Sequence, residues 1–301
     1  MQEESRLRLA LAQRVLVADG AMGTMLQAAG LEPGTPPELW NRERPEAVRA
    51  VHAAYVRAGA EVILTNTFGG TRIKLARFGL DDQVSELNRL AAHLAREEAG
   101  PDRFVFGDVS STGALLEPLG PLSFSQARDA FAEQAEALAT GGVDAILVET
   151  MLDAQEARAA IQGAHQACAL PVACTLSFGP GARTVMGAGP AQLADLWQEG
   201  LILIGANCGH TLQDTLTAIT QLRDLLPEAP LMAKPNAGVP VLGEDGRTHF
   251  NVGPEEMASF AARYLDVGVR VIGGCCGSTP EHIAAIARTA RAHSQHGGRH
   301  A

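Results

Sequence analysis

Eight short apolar runs, each followed by a longer stretch with helical spacing, set the tightest limit on what this chain can fold into. The runs occupy residues 15–19, 62–67, 104–110, 145–150, 172–178, 201–208, 231–236 and 269–276. Each is almost continuously apolar, the pattern of a parallel strand buried on both faces. The stretches between them, at 45–58, 84–98, 125–140, 154–168, 191–198, 212–226, 254–267 and 280–292, place apolar residues on one helical face. Val48, Val51 and Tyr55 form one such stripe, and Leu87, Leu90 and Leu94 another. Several of these stretches open at Pro, Asp, Ser or Thr and close near a glycine such as Gly59, Gly100, Gly141 or Gly268. Strict alternation implies a parallel sheet, and eight units imply an α/β chain closed as a single (β/α)8 TIM-type barrel. Counting alone leaves an open, doubly wound sheet as the alternative.

The length of 301 residues suits one barrel of roughly 250 residues with extensions. Residues 1–293 are assigned to the barrel and the polar, glycine-rich residues 294–301 to a flexible tail or linker. Residues 5–14 read as a short helix that closes the barrel floor. Two connections are long, 20–44 after the first strand and 237–253 after the seventh, the second with a turn at 243–246. Both fall on the carboxyl face, where such barrels build their sites.

The net charge of −10 and an aromatic content of 4% argue against nucleic acid or an anionic membrane as partner. No apolar run reaches the roughly 20 residues that span a bilayer, and the acidic start is no secretory signal. Five cysteines, three of them at strand ends, fit a reducing, cytoplasmic compartment better than a disulfide scaffold.

The strand ends carry the chemistry. Cys208 closes the sixth run, and Cys275 with Cys276 closes the eighth among Gly273, Gly274 and Gly277. Three cysteines at one barrel mouth suit Zn²⁺ and leave its fourth position for an exogenous ligand. Three thiolates around the metal keep a bound thiolate electron-rich, which fits alkyl transfer to sulfur. Three alternatives stand beside this one. The thiols are buried packing residues, the role assigned to Cys168 and Cys174; or Cys275 and Cys276 form the vicinal disulfide of a non-catalytic redox sensor; or the glycine-rich 273–278 segment binds a phosphate. Asp19 and Glu149 end buried strands and are placed to hold an ammonium group, or else to cap loop amides. The loop that begins at Gly20 offers backbone amides to a carboxylate, or simply turns. Asn207 and Asn236 are placed to position a substrate or to lend a neutral oxygen to the metal. The histidines, including His52, His93, His165 and His282, read as packing or surface residues.

Taken together, Asp19-Gly-Ala-Met-Gly-Thr24, Leu64-Thr-Asn-Thr-Phe-Gly-Gly-Thr71, Val148-Glu-Thr150, Gly205-Ala-Asn-Cys208, Pro235-Asn-Ala-Gly238 and Gly273-Gly-Cys-Cys-Gly277 resemble the homocysteine S-methyltransferase family. The resemblance runs from about residue 15 to 292. It implies that Cys208, Cys275 and Cys276 bind zinc and that homocysteine sulfur takes the open position. It further implies that Asp19 and Glu149 bind the substrate amino group, with Asn207 and nearby backbone holding the amino acid and Asn236 close to the metal. The 65–72 segment looks most like the homocysteine module of cobalamin-dependent methionine synthases. The methyl group would then arrive from methylcobalamin on a corrinoid module in the same or another chain, since this chain has no Asp-x-His-x-x-Gly motif. A standalone enzyme using S-methylmethionine or betaine is the alternative. Betaine needs an aromatic cage, for which Trp40 and Phe68 are the aromatics at hand.

Overall fold

The structure is a computed structural model that describes residues 2–243 and 248–297. Eight parallel strands form its centre: β1 (Leu16–Val17), β2 (Val62–Leu64), β3 (Phe104–Val109), β4 (Ala145–Met151), β5 (Val172–Leu176), β6 (Leu203–Cys208), β7 (Leu231–Pro235) and β8 (Val269–Ile272). Neighbours in space are neighbours in sequence, apart from the β1–β8 pair that brings the chain ends together. The ring closes between β1 and β2. Glu61 N donates to the Val17 carbonyl at 2.7 Å and Asp19 N to the Val62 carbonyl at 3.0 Å. The open-sheet alternative is thereby excluded.

Burial on both faces explains the continuous apolar runs. Leu16, Val62, Phe104, Phe106, Leu147 and Met232 belong to an inner cluster. Val17, Ile63, Val105, Ile146, Val148 and Ile204 alternate with them and pack outward in the larger core. The helix Gln2–Gln13 seals the floor, burying Leu7 and Leu11 against that inner cluster. This is the floor helix expected at 5–14, extended at its N-terminal end.

The expected strands run past the hydrogen-bonded ladder at their carboxyl ends. Thr65, Asn66 and Thr67, like residues 273–276, leave the ladder because side-chain and loop-to-strand hydrogen bonds take the place of strand pairing. Thr65 and Thr67 hydroxyls bond each other at 2.6 Å, and Thr67 donates to the Asp108 carbonyl at 2.7 Å. The loop after β1 carries short helices at Gly23–Ala28 and Trp40–Glu43. The loop after β7 carries an exposed hairpin, Val241–Leu242 with Thr248–His249. The turn expected at 243–246 falls, beyond Gly243, outside the described residues. The last helix spans Pro280–Gly297, so residues 294–297, read from sequence as tail, are helical. Residues 298–301 lie outside the described residues.

His52, on the helix Pro45–Ala58, is fully buried with neither ring nitrogen hydrogen-bonded. Burial lowers its pKa to about 4 from an ordinary 6.5. Above pH 6.5 the folded and unfolded chains are both neutral at this position. Below it the unfolded chain takes up a proton that the folded chain refuses, so stability falls until the pH nears 4. Wild type should lose about 2 kcal/mol more unfolding free energy between pH 8 and pH 5 than His52→Leu does. Denaturant titration at the two pH values measures this, and equal losses would show that His52 is not the acid-sensitive group.

Candidate metal centre and substrate pocket

The parity that buries the strands also selects what reaches the mouth. On β3, Phe104 and Phe106 point inward and Asp108 follows two residues on. On β4, Ala145 and Leu147 lead to Glu149; on β7, Met232 leads to Lys234; on β5, Ala173 leads to Thr175. The lumen therefore changes from apolar to charged within one residue pair.

Two irregular turns bring the thiols together. Cys208 has φ 58° and Gly209 φ 79°, so β6 ends in a left-handed turn that only its glycine adopts without strain. After β8 the chain is pinned on both sides. Gly274 N donates to the Asp19 carbonyl at 3.0 Å, Cys275 N to the Pro235 carbonyl at 2.8 Å, and Ala237 N to the Cys276 carbonyl at 2.9 Å. Gly277, at φ 77°, completes the turn, and a Cβ there would sit 2.1 Å from the Phe250 ring. Ser278 N and Oγ both return to the Cys275 carbonyl. With the amides of Gly274, Cys275 and Ser278 spent on carbonyls of the chain, the segment is poorly suited to cradle a phosphate.

The outcome is three sulfurs within 4.8 Å of one another. A tetrahedral zinc with Zn–S of about 2.3 Å needs sulfurs about 3.8 Å apart, within reach of small side-chain rotations. All five cysteines are free thiols. Hydrogen bonds from the Cys275 and Cys276 thiols pull Cys208 down to about 3, while the bond to Cys208 is the largest of the effects that push Cys275 up to about 12. The same interactions drive Cys276 upward. The three sulfurs thus compete for their protons through shared hydrogen bonds. Full ionisation of the trio requires a soft cation, so the donor chemistry fits zinc. Asn236, beside Cys208, donates to the Gly209 carbonyl at 3.0 Å and leaves its buried Oδ1 without a partner, as a site awaiting a ligand would. Cys174, by contrast, packs outward in the core and Cys168 ends a helix, as expected of structural cysteines.

Asn207 acts on this cluster from behind. Its Oδ1 accepts from Thr150 N at 2.8 Å and from the Thr175 hydroxyl at 2.6 Å. Its Nδ2 donates to Thr150 Oγ1 at 2.6 Å and to Cys275 Sγ at 3.8 Å. Thr150 holds φ 56° to present both its groups. All four bonds stay within the protein, so Asn207 orients Cys275. Gly20 is required by packing, since a Cβ would lie 2.7 Å from Ser278 Oγ and 2.8 Å from the Tyr55 hydroxyl. That hydroxyl ties the β1 loop to the cysteine loop through the carbonyls of Ala21 at 2.7 Å and Ser278 at 2.9 Å.

Asp19 and Glu149 meet at Lys234, whose Nζ lies 3.5 Å from Asp19 Oδ1 and 3.7 Å from Glu149 Oε2. Leu64 N also donates to Asp19 Oδ2 at 2.8 Å. Burial raises Asp19 to about 6 and Glu149 to about 7, and it lifts Asp108 well above the carboxylate range with help from Glu149. Burial opposes the Lys234 charge, but Glu149, Asp19, Cys275 and Asp108 together outweigh it and keep the ammonium protonated. Asp108 and Lys234 fall near the ends of the apolar runs 104–110 and 231–236, but sequence reading gave them no role. Their lumen-facing parity was the signal that could have assigned one.

These groups line a cavity of about 410 Å³ that also touches Cys275 and Cys276. Its outer wall is apolar, with Met22, Pro36, Pro37, Phe68 and Phe78. Trp40 instead lies buried beneath Arg44, with 5.1 Å between guanidinium and ring centre.

Residues 16–290 match the homocysteine S-methyltransferase family, and the chain belongs to that family. It is 35% identical over 309 residues to methionine synthase of Mycobacterium leprae (strain TN), covering 95% of this chain and 25% of that protein. Methionine synthase of Mycobacterium tuberculosis (strain ATCC 25618 / H37Rv) is also 35% identical, over 300 residues, with 92% and 25% covered. The chain thus spans about a quarter of the length of the curated relatives it matches. Among solved structures it resembles the metallated form of the Escherichia coli homocysteine methyltransferase MmuM, with a TM-score of 0.75 and 26% identity. That match covers 92% of this chain and 96% of that one.

Because Asn207 orients Cys275, Asn207→Ala should weaken zinc binding about 10–100-fold with the fold retained. Competition against a chromophoric chelator would measure this, and unchanged affinity would leave Asn207 without the orienting role.

Proposed function

We propose that this chain is a homocysteine S-methyltransferase barrel, residues 1–293, that makes methionine in the cytoplasm. Its zinc would be held by Cys208, Cys275 and Cys276. What carries this reading is the sulfur trio, two of whose members, Cys275 and Cys276, line a cavity that also holds buried carboxylates. The cavity thus offers a thiol and an ammonium group complementary ends. Zinc would supply the charge that ionises a substrate thiol, which otherwise titrates at about 8.5. The chain's own residues do the rest. Asp19 and Glu149 attract the amino group, Asn207 and the pinned 274–278 loop fix the thiolate end, and the floor helix keeps water from entering below. No general base is needed at the methyl carbon, so catalysis rests on orientation and charge.

The donor we favour is methylcobalamin presented by a separate corrinoid module, the reading supported by the likeness to one quarter of the methionine synthases. The near-complete coverage of MmuM favours a second reading, a self-contained enzyme with a small methyl donor such as S-methylmethionine. Betaine is the least suited. Lys74 Nζ already sits 4.5 Å from the Phe68 ring centre, where a quaternary ammonium would have to bind, and Trp40 is buried under Arg44. A thiol sensor without catalysis leaves the carboxylate-lined cavity without a use. Among the described residues, no helix is long and apolar enough to cross a membrane.

The purified protein should carry one zinc with three sulfur ligands, rising to four when homocysteine is added, by metal analysis and X-ray absorption. Cys208→Ala, Cys275→Ala and Cys276→Ala should each lose stoichiometric zinc and turnover. A variant that keeps both would remove that cysteine from the site. A sulfur count that ignores homocysteine would overturn the functional reading.

A further inference from the structure

The chain contains two lysines, Lys74 and Lys234, against a large surplus of arginine, and both line the mouth cavity. A lysine is a compact point charge, where arginine is a broad planar fork. Lys234 enters the lumen from β7, is 2% exposed, and stands between the two carboxylates that the substrate ammonium was expected to use. Its distances of 3.5 and 3.7 Å exceed the roughly 2.7–2.9 Å of a closed charge-assisted bond. The ammonium therefore neutralises the pair without saturating it.

Beside it, Asp108 enters from β3. Asp108 Oδ1 and Glu149 Oε2 are both buried without a hydrogen-bond partner. Both residues are 5% exposed and both line the cavity. Three carboxyl groups thus face one resident ammonium, and two of their oxygens lack a closed hydrogen bond, Glu149 Oε2 having only Lys234 Nζ at 3.7 Å. Leaving such groups unpaired is costly, and a ligand that brings N–H donors and a positive charge relieves that cost.

We infer that the pocket has two cation positions, one filled permanently by Lys234 and one kept for the substrate, and that Asp108 with Glu149 makes the direct contact to the substrate ammonium while Asp19, beside Lys234, adds only its charge. This rests on the homocysteine reading and deepens it. Asp108 becomes a substrate-binding residue, and Lys234 a specificity-determining residue that limits the site to one incoming positive charge. The ligand class is an amino-acid thiol; the same thiol without its amino group leaves the two oxygens unpaired.

The test compares L-homocysteine with 4-mercaptobutyrate, its desamino counterpart, by calorimetric titration of the zinc-loaded protein. Wild type should bind homocysteine at least about tenfold more tightly, the value of one charge-assisted contact of roughly 1.4 kcal/mol. Asp108→Asn should erase most of that preference by weakening homocysteine alone. Lys234→Met should widen the preference, because it leaves the carboxylates one cation short. Equal binding of the two thiols by wild type would overturn the inference with no variant needed. So would a preference that stays within twofold in a folded Asp108→Asn protein, or that narrows in Lys234→Met. Failure of the zinc-loaded wild type to bind homocysteine at all would instead sink the functional reading itself.

Discussion

Everything at the mouth of this barrel depends on eight strands being buried on both faces. Each strand sends one set of side chains to the helices and the other into the lumen, and the lumen is filled from below by Leu7 and Leu11. Packing consumes the lumen up to the layer of Phe106, Leu147 and Met232. The next inward residues are Asp108, Glu149 and Lys234. Polar groups cannot go lower without losing water and partners, and they cannot go higher without leaving the strands. The charged layer therefore sits within the last residues of β3, β4 and β7, where backbone pairing still holds it firmly.

The fold was legible because its signal is repeated and local. Eight apolar runs with helical partners needed no long-range information, and each became a strand. The ends of the runs were harder to place. Residues 65–67 and 273–276 continue an apolar or small-residue pattern yet leave the ladder, because side-chain and loop-to-strand hydrogen bonds replace strand pairing there. The three cysteines were legible for a different reason: a tandem thiol pair among glycines has few uses in a core. The convergence of Cys275 and Cys276 depends on Gly277 and on amides that reach the Asp19 and Pro235 carbonyls, contacts far apart in sequence. Asn207 was placed in the right neighbourhood but its contacts, with Thr150, Thr175 and Cys275, are all tertiary.

Lys234 shows where sequence reasoning stops. Alternation puts it in the lumen, but no pattern says that its ammonium will reach across to β1 and β4. The same holds for Tyr55, which reads as one member of a helical stripe and proves to fasten two loops through one hydroxyl. Such side chains act over distance, and their partners become known only when the ring is closed.

The sulfur trio and the charged layer are electrostatically one unit. Burial raises the proton affinity of Asp108 and Glu149, an ionised Cys275 sulfur adds to that rise, and Lys234 answers both the sulfur and the carboxylates. A metal held by three thiolates carries a net negative charge, so it adds to the anionic field instead of cancelling it. In a medium of low dielectric such a concentration of like charge is tolerated only with counter-charge close by. One ammonium is built in and sits between β1, β4 and β7. The balance left over is negative, and it faces the cavity. Under the proposed function, an anionic centre that holds a thiolate in a reactive state gains most from a ligand that carries its own positive charge a few bonds from its sulfur.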